Sequence, residues 1–383
     1  MVNKSSTLKI SFLLVLVFLV PALALGQQDV SFQPIQTVTI GSDPRSIIVG
    51  DFNGDKIPDL ATANQGSNNV SILLGTGDGT FSLAGNIDVG SSPSSIAVAD
   101  FNGDGIQDIA VTTPNMVGVF LANGDGRFQP PQYFRAGTRP QSVAVGDFND
   151  DDIKDLAVAN LQSDNVSILL GNGDGSFRDA RHFVLGGIRP GAITVGDFNG
   201  DGIEDLAVAS VSEGNISILL GNGEGRFRLA GSYSVAGASS SIALGDFNGD
   251  GIQDLVITTV DGIQVLLGSG DARFLPTRTV RLEGNLRSVV VGDFNRDGID
   301  DLALGVSVNI TVLIGAGDGT FSIPRHVGRL EGSEVLALTV GDFDADGRQD
   351  LAAAGRTSVS ILMNDTPELV FFVDNKFVTN PPK

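Results

Sequence analysis

The chain contains no cysteine, no tryptophan, only two tyrosines and only two histidines in 383 residues. Without cysteine there is no disulfide and no lipid attached through an N-terminal thiol, so an exported fold would have to rely on core size and bound metal. Without tryptophan, the aromatic platforms on which a lectin stacks sugars are scarce, and the 22 phenylalanines mostly recur at two fixed repeat positions that read as packing residues. The two histidines, His182 and His326, each lie five residues after a phenylalanine that opens a strand. Equivalent positions carry Asn86, Tyr133, Ser232 and Thr279, so both read as surface strand residues rather than catalytic groups. Positive charge is also short. With 24 basic against 45 acidic residues the net charge is -21, which argues against nucleic acid or an anionic membrane as partner.

Long apolar runs are missing beyond the N-terminus. The one such run, Ile10 to Val20, follows Lys4 and Lys9 and precedes the small-residue stretch Ala22 to Gly26, the pattern of a secretory signal over residues 1–26. It falls short of the roughly 20 residues a spanning helix needs. A retained anchor is the alternative, since anchor and signal differ mainly in length and cleavage site. The expectation is a soluble, monomeric protein starting near Gln27, secreted, extracellular or periplasmic, with no membrane span after signal removal. Helical periodicity is absent too: no segment repeats at 3.6 over a helical length.

What is present is one motif, seven times. DFNGDGIQDL from Asp246 recurs as DFNGDKIPDL from Asp51, DFNGDGIQDI from Asp100, DFNDDDIKDL from Asp147, DFNGDGIEDL from Asp197, DFNRDGIDDL from Asp293 and DFDADGRQDL from Asp342. Such a period, close to 48 residues, marks a repeat architecture. Around each copy, short runs such as SVAVG, LAVA and VSILLG are bounded by Gly, Asn and Asp, which is a strand signal. A Gly-rich turn follows, as in GNGDGSF from Gly171, and a fourth strand begins at Phe81, Phe128, Phe177, Phe227, Phe274 or Phe321. Four antiparallel strands per repeat describe a propeller blade, so the fold class is all-β, a seven-bladed β-propeller over residues 27–364 with a tail over 365–383. There are seven acidic loops but six such turns. The segment Val30 to Ile40 resembles the stretch from Arg127 and has no blade of its own, so it is expected to complete blade seven and close the ring.

Packing carboxylates so densely is unfavourable unless a cation sits among them. In D-x-N-x-D-G-x-x-D the side chains at positions one, three, five and nine and the carbonyl at seven match the first nine positions of an EF-hand loop. The first copy offers Asp51, Asn53, Asp55, Ile57 and Asp59; the second Asp100, Asn102, Asp104, Ile106 and Asp108; the third Asp147, Asn149, Asp151, Ile153 and Asp155. The fourth offers Asp197, Asn199, Asp201, Ile203 and Asp205, and the fifth Asp246, Asn248, Asp250, Ile252 and Asp254. The sixth has Asp293, Asn295, Asp297, Ile299 and Asp301, and the seventh Asp342, Asp344, Asp346, Arg348 and Asp350. All donors are hard oxygens, which favours up to seven calcium ions over zinc or copper. The twelfth-position glutamate of an EF-hand is absent, as are its helices. The alternative is a set of Asx-rich turns that need no metal.

The V-x-D-F-N-G-D-G-x-x-D-L-A-V unit with its later G-x-G-D-G-x-F resembles the FG-GAP or VCBS repeat, found in the seven-bladed propeller of integrin alpha subunits and in many exported bacterial proteins. The resemblance implies that each ion sits in the hairpin joining a blade's first and second strands, on the lower face. The Phe-Gly and Gly-Ala-Pro marks of the integrin version are absent, so integrin-type adhesion is not implied. Lys56 and Asp152 replace the sixth-position glycine, and these two loops are expected to be the weaker sites, unless the added charge of Asp150 and Asp152 offsets the strain in the third.

Almost every Asp belongs to a loop or a turn, and few polar groups break the repeat, so a non-catalytic calcium-binding module for a protein or polysaccharide partner is expected. A lectin or polysaccharide-lyase-like protein is the alternative. The opposite, upper face carries Arg45, Arg139, Arg189, Arg287 and Arg356 on connections that differ from blade to blade, and it is the expected partner face. Four N-x-S/T matches, at Asn69, Asn165, Asn215 and Asn309, all precede a third strand and follow from the repeat rather than from glycosylation.

Overall fold

The computed structural model describes residues 30–186, 189–212, 214–237, 240–277 and 279–367, with two short strands, Phe371–Val373 and Lys376–Val378, paired beyond them. The signal segment expected over residues 1–26 lies outside the described residues.

Blade 1 shows how the repeat folds. Its strands Pro44–Gly50, Asp59–Asn64, Asn69–Gly75 and Phe81–Asp88 pair in that order, all antiparallel. The second strand is buried along its whole length. A strand covered on both faces has no solvent side to alternate with, which is why it reads as an unbroken small and apolar run. The fourth strand, on the perimeter, is mostly exposed after Phe81.

Seven such sheets form a ring, and the first strand of every blade touches the first strands of both neighbours. The core lies between blades: one cluster joins Phe52, Ala61 and Val70 of blade 1 to Ile96, Ile109 and Phe120 of blade 2. Each acidic loop contributes its phenylalanine to this interior. Phe52, Phe101, Phe148, Phe198, Phe247, Phe294 and Phe343 are all buried, and each meets a phenylalanine of the next blade at 5.3–5.8 Å between ring centres. Most of these pairs are edge-on, which places the positive ring edge against the negative face.

Closure follows the expectation. Phe32–Thr39 pairs with Ser358–Asn364, from Phe32 opposite Asn364 to Thr39 opposite Ser358. Phe32 then packs on Phe294 at 5.8 Å, so it takes the place of the seventh turn phenylalanine that the repeat lacks. The pairing continues past the strand, where the Asp365 amide donates to the Ser31 carbonyl at 3.0 Å.

The fourth strands are less regular than the expectation. Phe81, Phe227 and Phe274 open strands, but Phe128, Phe177 and Phe321 make only isolated bridges, and regular pairing resumes at Gln132, Arg181 and Arg325. Pro130, Pro131 and Pro324 interrupt two of these blades because proline has no amide to donate; blade 3 shows the same gap without a proline. In blade 5 the fourth strand is split into Phe274–Pro276 and Val280–Arg281. No helix among the described residues is long and apolar enough to cross a membrane.

Candidate metal centres and the opposite mouth

Every acidic loop joins the first strand of a blade to the second, and every G-x-G turn joins the third to the fourth, so both lie on one face of the ring. In blade 1 the Asp51 carboxylate accepts from the Gly54 and Lys56 amides at 2.7 and 2.9 Å, and Asp55 accepts from the Ile57 amide at 2.8 Å. Asn53 is the cross-brace: its side-chain NH₂ donates to Asp55, and its oxygen accepts from the Asp55 amide. The same bracing recurs around Asn102, Asn248 and Asn295.

This loop demands left-handed backbone at two places. Position six has φ of +64° to +85° in all seven copies, including Lys56 at +67° and Asp152 at +64°. Position four is left-handed as well, and there Asp150, Arg296 and Ala345 stand at +59° to +61° where other copies have glycine. Sequence reading identified the strain at Lys56 and Asp152 and missed it at position four. The signal was present, since four of the seven copies have glycine there.

The ninth carboxylate does something the spacing alone does not disclose. Asp59 opens the second strand, is fully buried, and accepts from the Phe52 amide at 2.9 Å and from the Gly75 amide at 2.8 Å. It therefore ties the start of the acidic loop to the end of the third strand. Asp108, Asp155, Asp205, Asp254, Asp301 and Asp350 make the same two bonds. Burial pushes Asp59, Asp108, Asp155 and Asp205 up to about 6, and Asp301 and Asp350 up to about 7. The two amide donors oppose the shift, and the carboxylates at positions one and five, or three and five in blade 7, add to it.

The donor set fits a hard divalent cation. Its atoms are all oxygens, and each amide-bound carboxylate oxygen of the ninth aspartate keeps a second lone pair. In blade 7, where Asp344 replaces Asn, carboxylate oxygens of Asp342, Asp344 and Asp350 lie within 4.8 Å of one another. In blade 3 the buried Asn149 Oδ1 has no hydrogen-bond partner, an acceptor that a cation would satisfy. Among the described residues the other loops do not bring three carboxylates so close; there the asparagine holds position three. In blade 7 the Arg348 guanidinium reaches Asp346 at 3.0 Å, and a bound divalent ion would add positive charge among the carboxylates of every loop.

Each loop also touches the next blade. The Gly126 amide of blade 2 donates to the Phe52 carbonyl of blade 1, and Gly175, Gly225, Ala272, Gly319 and Gly79 repeat the contact around the ring. At the closure there is no turn to donate, and the Asn364 side chain donates to the Phe294 carbonyl instead, at 2.9 Å. The eighth-position side chain reaches back as well: Gln107, Glu204 and Asp300 accept from the amides of Asp51, Asp147 and Asp246. Loop geometry and blade docking are thus one system.

The opposite face has a central mouth of about 620 Å³ at the starts of the first strands. Ser95, Ser241 and Ser288 line it and accept from the amides of Val143, Val289 and Leu338 on the following blades. Of the five arginines expected on this face, Arg45 and Arg287 line the mouth. Arg139, Arg189 and Arg356 are exposed on the connections outside it. Arg45 donates to Gln65 at 2.9 Å, and Arg287 lies 3.6 Å from Glu334.

The remaining sequence candidates are structural. His182 and His326 are exposed on fourth strands and bond Ser167 and Thr311 across the sheet at 2.9 Å. Ser71, Ser167, Ser217 and Thr311 of the N-x-S/T matches are buried within third strands, where no glycosylated loop could form.

A family model of the FG-GAP-like repeat matches residues 51–111, 100–158, 147–208, 197–257, 246–304 and 293–353. No curated protein matches the chain. Among solved structures, BBS1N in complex with ARL6DN is similar with a TM-score of 0.65 at 14% identity, over 88% of this chain and 97% of that one. A lectin from Agrocybe aegerita that recognises non-reducing terminal N-acetylglucosamine gives 0.57 at 20% identity, over 80% and 82%. A streptogramin B lyase gives 0.61 at 16%, over 88% and 98%. At these identities the likeness is one of fold.

Proposed function

The chain belongs to the FG-GAP-like repeat family, and from that premise we propose that it is an exported, calcium-stabilised propeller that binds or scaffolds a partner without catalysing a reaction. The observation that carries this reading is the contrast between seven near-identical all-oxygen loops, each joined to the next blade, and an opposite face whose connections all differ. Calcium bound at the loops would fix the ring, and the variable connections on a rigid ring are where recognition usually resides.

Two measurements test it. Metal analysis of the protein equilibrated with calcium should give up to seven equivalents, and Asp250→Ala should remove one. Capture from a native extracellular fraction should return a partner that is lost when Arg139 and Arg189 are both changed to Ala, with calcium content unchanged. Partner binding that survives this double change and disappears on altering Asp125 and Asp174, in the lower-face turns, would place the site on the wrong face.

The second reading, a carbohydrate-active protein, is favoured by the likeness in fold to a lectin that recognises a terminal sugar. A glycan array separates the two: a defined glycan bound in the absence of any protein partner supports the second.

A further inference from the structure

The mouth on the upper face differs in charge from the protein around it. The whole chain has 45 acidic residues and a net charge of -21, yet among the described residues no Asp or Glu lines this cavity, and the charged ones that do are Arg45 and Arg287. They lie on blades 1 and 6, on either side of blade 7, which presents Leu336 between them. A concave site of one sign with low-dielectric walls concentrates field and raises the local concentration of the opposite charge.

The polar groups of the wall divide into two sets. Ser94, Ser95, Ser240, Ser241 and Ser288 are engaged with neighbouring strands. Ser46, Gln141, Ser142 and Asn285 form no side-chain hydrogen bond with the described protein, and Arg287 Nε is buried without a partner. The volume, about 620 Å³, falls in the range of small-molecule sites.

We propose that this mouth binds a hydroxylated carboxylate, the chemistry of an acidic sugar such as a uronate. The guanidinium groups of Arg45 and Arg287 match a carboxylate in charge and in planar geometry. Ser46, Gln141, Ser142 and Asn285 offer both donors and acceptors to hydroxyl groups. Arg287 exchanges its loose 3.6 Å contact with Glu334 for the ligand. The inference rests on the reading of the upper face as a binding face, and glucuronate bound there would favour the carbohydrate-binding reading over a protein partner.

The test is calorimetric titration of the calcium-loaded full-length protein with D-glucuronate, with D-glucose as the neutral control. Glucuronate should bind with a dissociation constant of about 1 mM or tighter, at least tenfold better than glucose, and more weakly as salt is raised. Arg45→Gln and Arg287→Gln should each weaken it at least tenfold while melting as the parent does, and Arg135→Ala, on the perimeter strand of blade 2, should leave it unchanged. Equal binding of glucose, or binding that survives both glutamine changes, overturns the proposal. No binding of glucuronate also overturns it, even where a protein partner is still captured through Arg139 and Arg189, and in that case the binding-module reading stands.

Discussion

The two faces of the ring are built from the same seven repeats and have opposite characters. On the acidic face, the loops hold the same hydrogen bonds and the same left-handed positions in nearly every copy, even where Lys56, Asp150, Asp152, Arg296 and Ala345 stand in for glycine. On the other face, Arg45, Ser94, Gln141, Gly191, Ser240, Arg287 and Leu336 occupy equivalent positions at the mouth, and no side-chain chemistry is shared by all. The uniform face is bound to the next blade through its phenylalanines and carbonyls, so a change there disturbs two blades. The varied face is tied to its neighbours mainly by backbone and serine hydroxyls, which leaves the other side chains free to differ.

The largest test of that contrast removes the closing strand. A chain starting at Ser42 loses the partner of Ser358–Asn364 and the phenylalanine that packs on Phe294. It should aggregate or open on size-exclusion chromatography, because blade 7 then presents a bare edge. A monomer of parental stability would show that the ring does not depend on closure.

Chelation comes next. At free calcium ten times the dissociation constant, linkage gives about 1.4 kcal/mol per site and ~10 kcal/mol for seven independent sites, comparable to the total stability of a typical domain. The melting temperature in excess EGTA should fall steeply. An unchanged curve would reduce the acidic face to Asx turns and end the contrast as a matter of metal.

A smaller effect sharpens it through pH. The ninth aspartates are all raised above 3.8, six of them to about 6 or 7, so in the ion-free fold they bind more protons than the unfolded chain does. Stability should therefore fall as pH rises from about 4 through about 7 in EGTA. With calcium present the trend should reverse, because protons and cation compete for the same carboxylates. Thermal melts in the two buffers read the sign directly.

The smallest effect concerns backbone strain. Asp150→Gly and Asp152→Gly each relieve a left-handed non-glycine residue, worth about 1 kcal/mol, and should raise the melting temperature in EGTA by about 2 °C. The equivalent substitutions of Arg139 and Arg189, also at positive φ on the varied face, should raise stability as much while leaving calcium binding untouched.

Much of this was legible because repetition multiplies a weak signal. One DFNGDGIQDL is compatible with a turn; seven at a constant period give the blade and the ring, while the face on which the loops lie is what the resemblance to the FG-GAP repeat implies. Even the closure could be read, since Val30 to Ile40 had no other blade to join. What stayed hidden depends on contacts between blades. Nothing local in the sequence says that Phe32 meets Phe294, that Asn364 replaces a turn amide, or that Asp59 spends both oxygens on distant amides. The gaps at Phe128 and Phe321 were visible as prolines but were outweighed by the phenylalanine pattern. Which of the five arginines share a cavity is a matter of ring curvature.

The composite seventh blade sets an order of events. Its outer strand is the first described part of the chain to be synthesised, and it lies against strands more than 300 residues later. The entropic cost of closing so long a loop grows only slowly with length, but such distant pairing is slow to find. Until the last repeat arrives, that leading strand has no register to occupy, and blade 6 has no ring to receive Phe294. The protein is a necklace whose clasp is made in two halves, one at each end of the thread, and it cannot be fastened before the whole thread has been drawn.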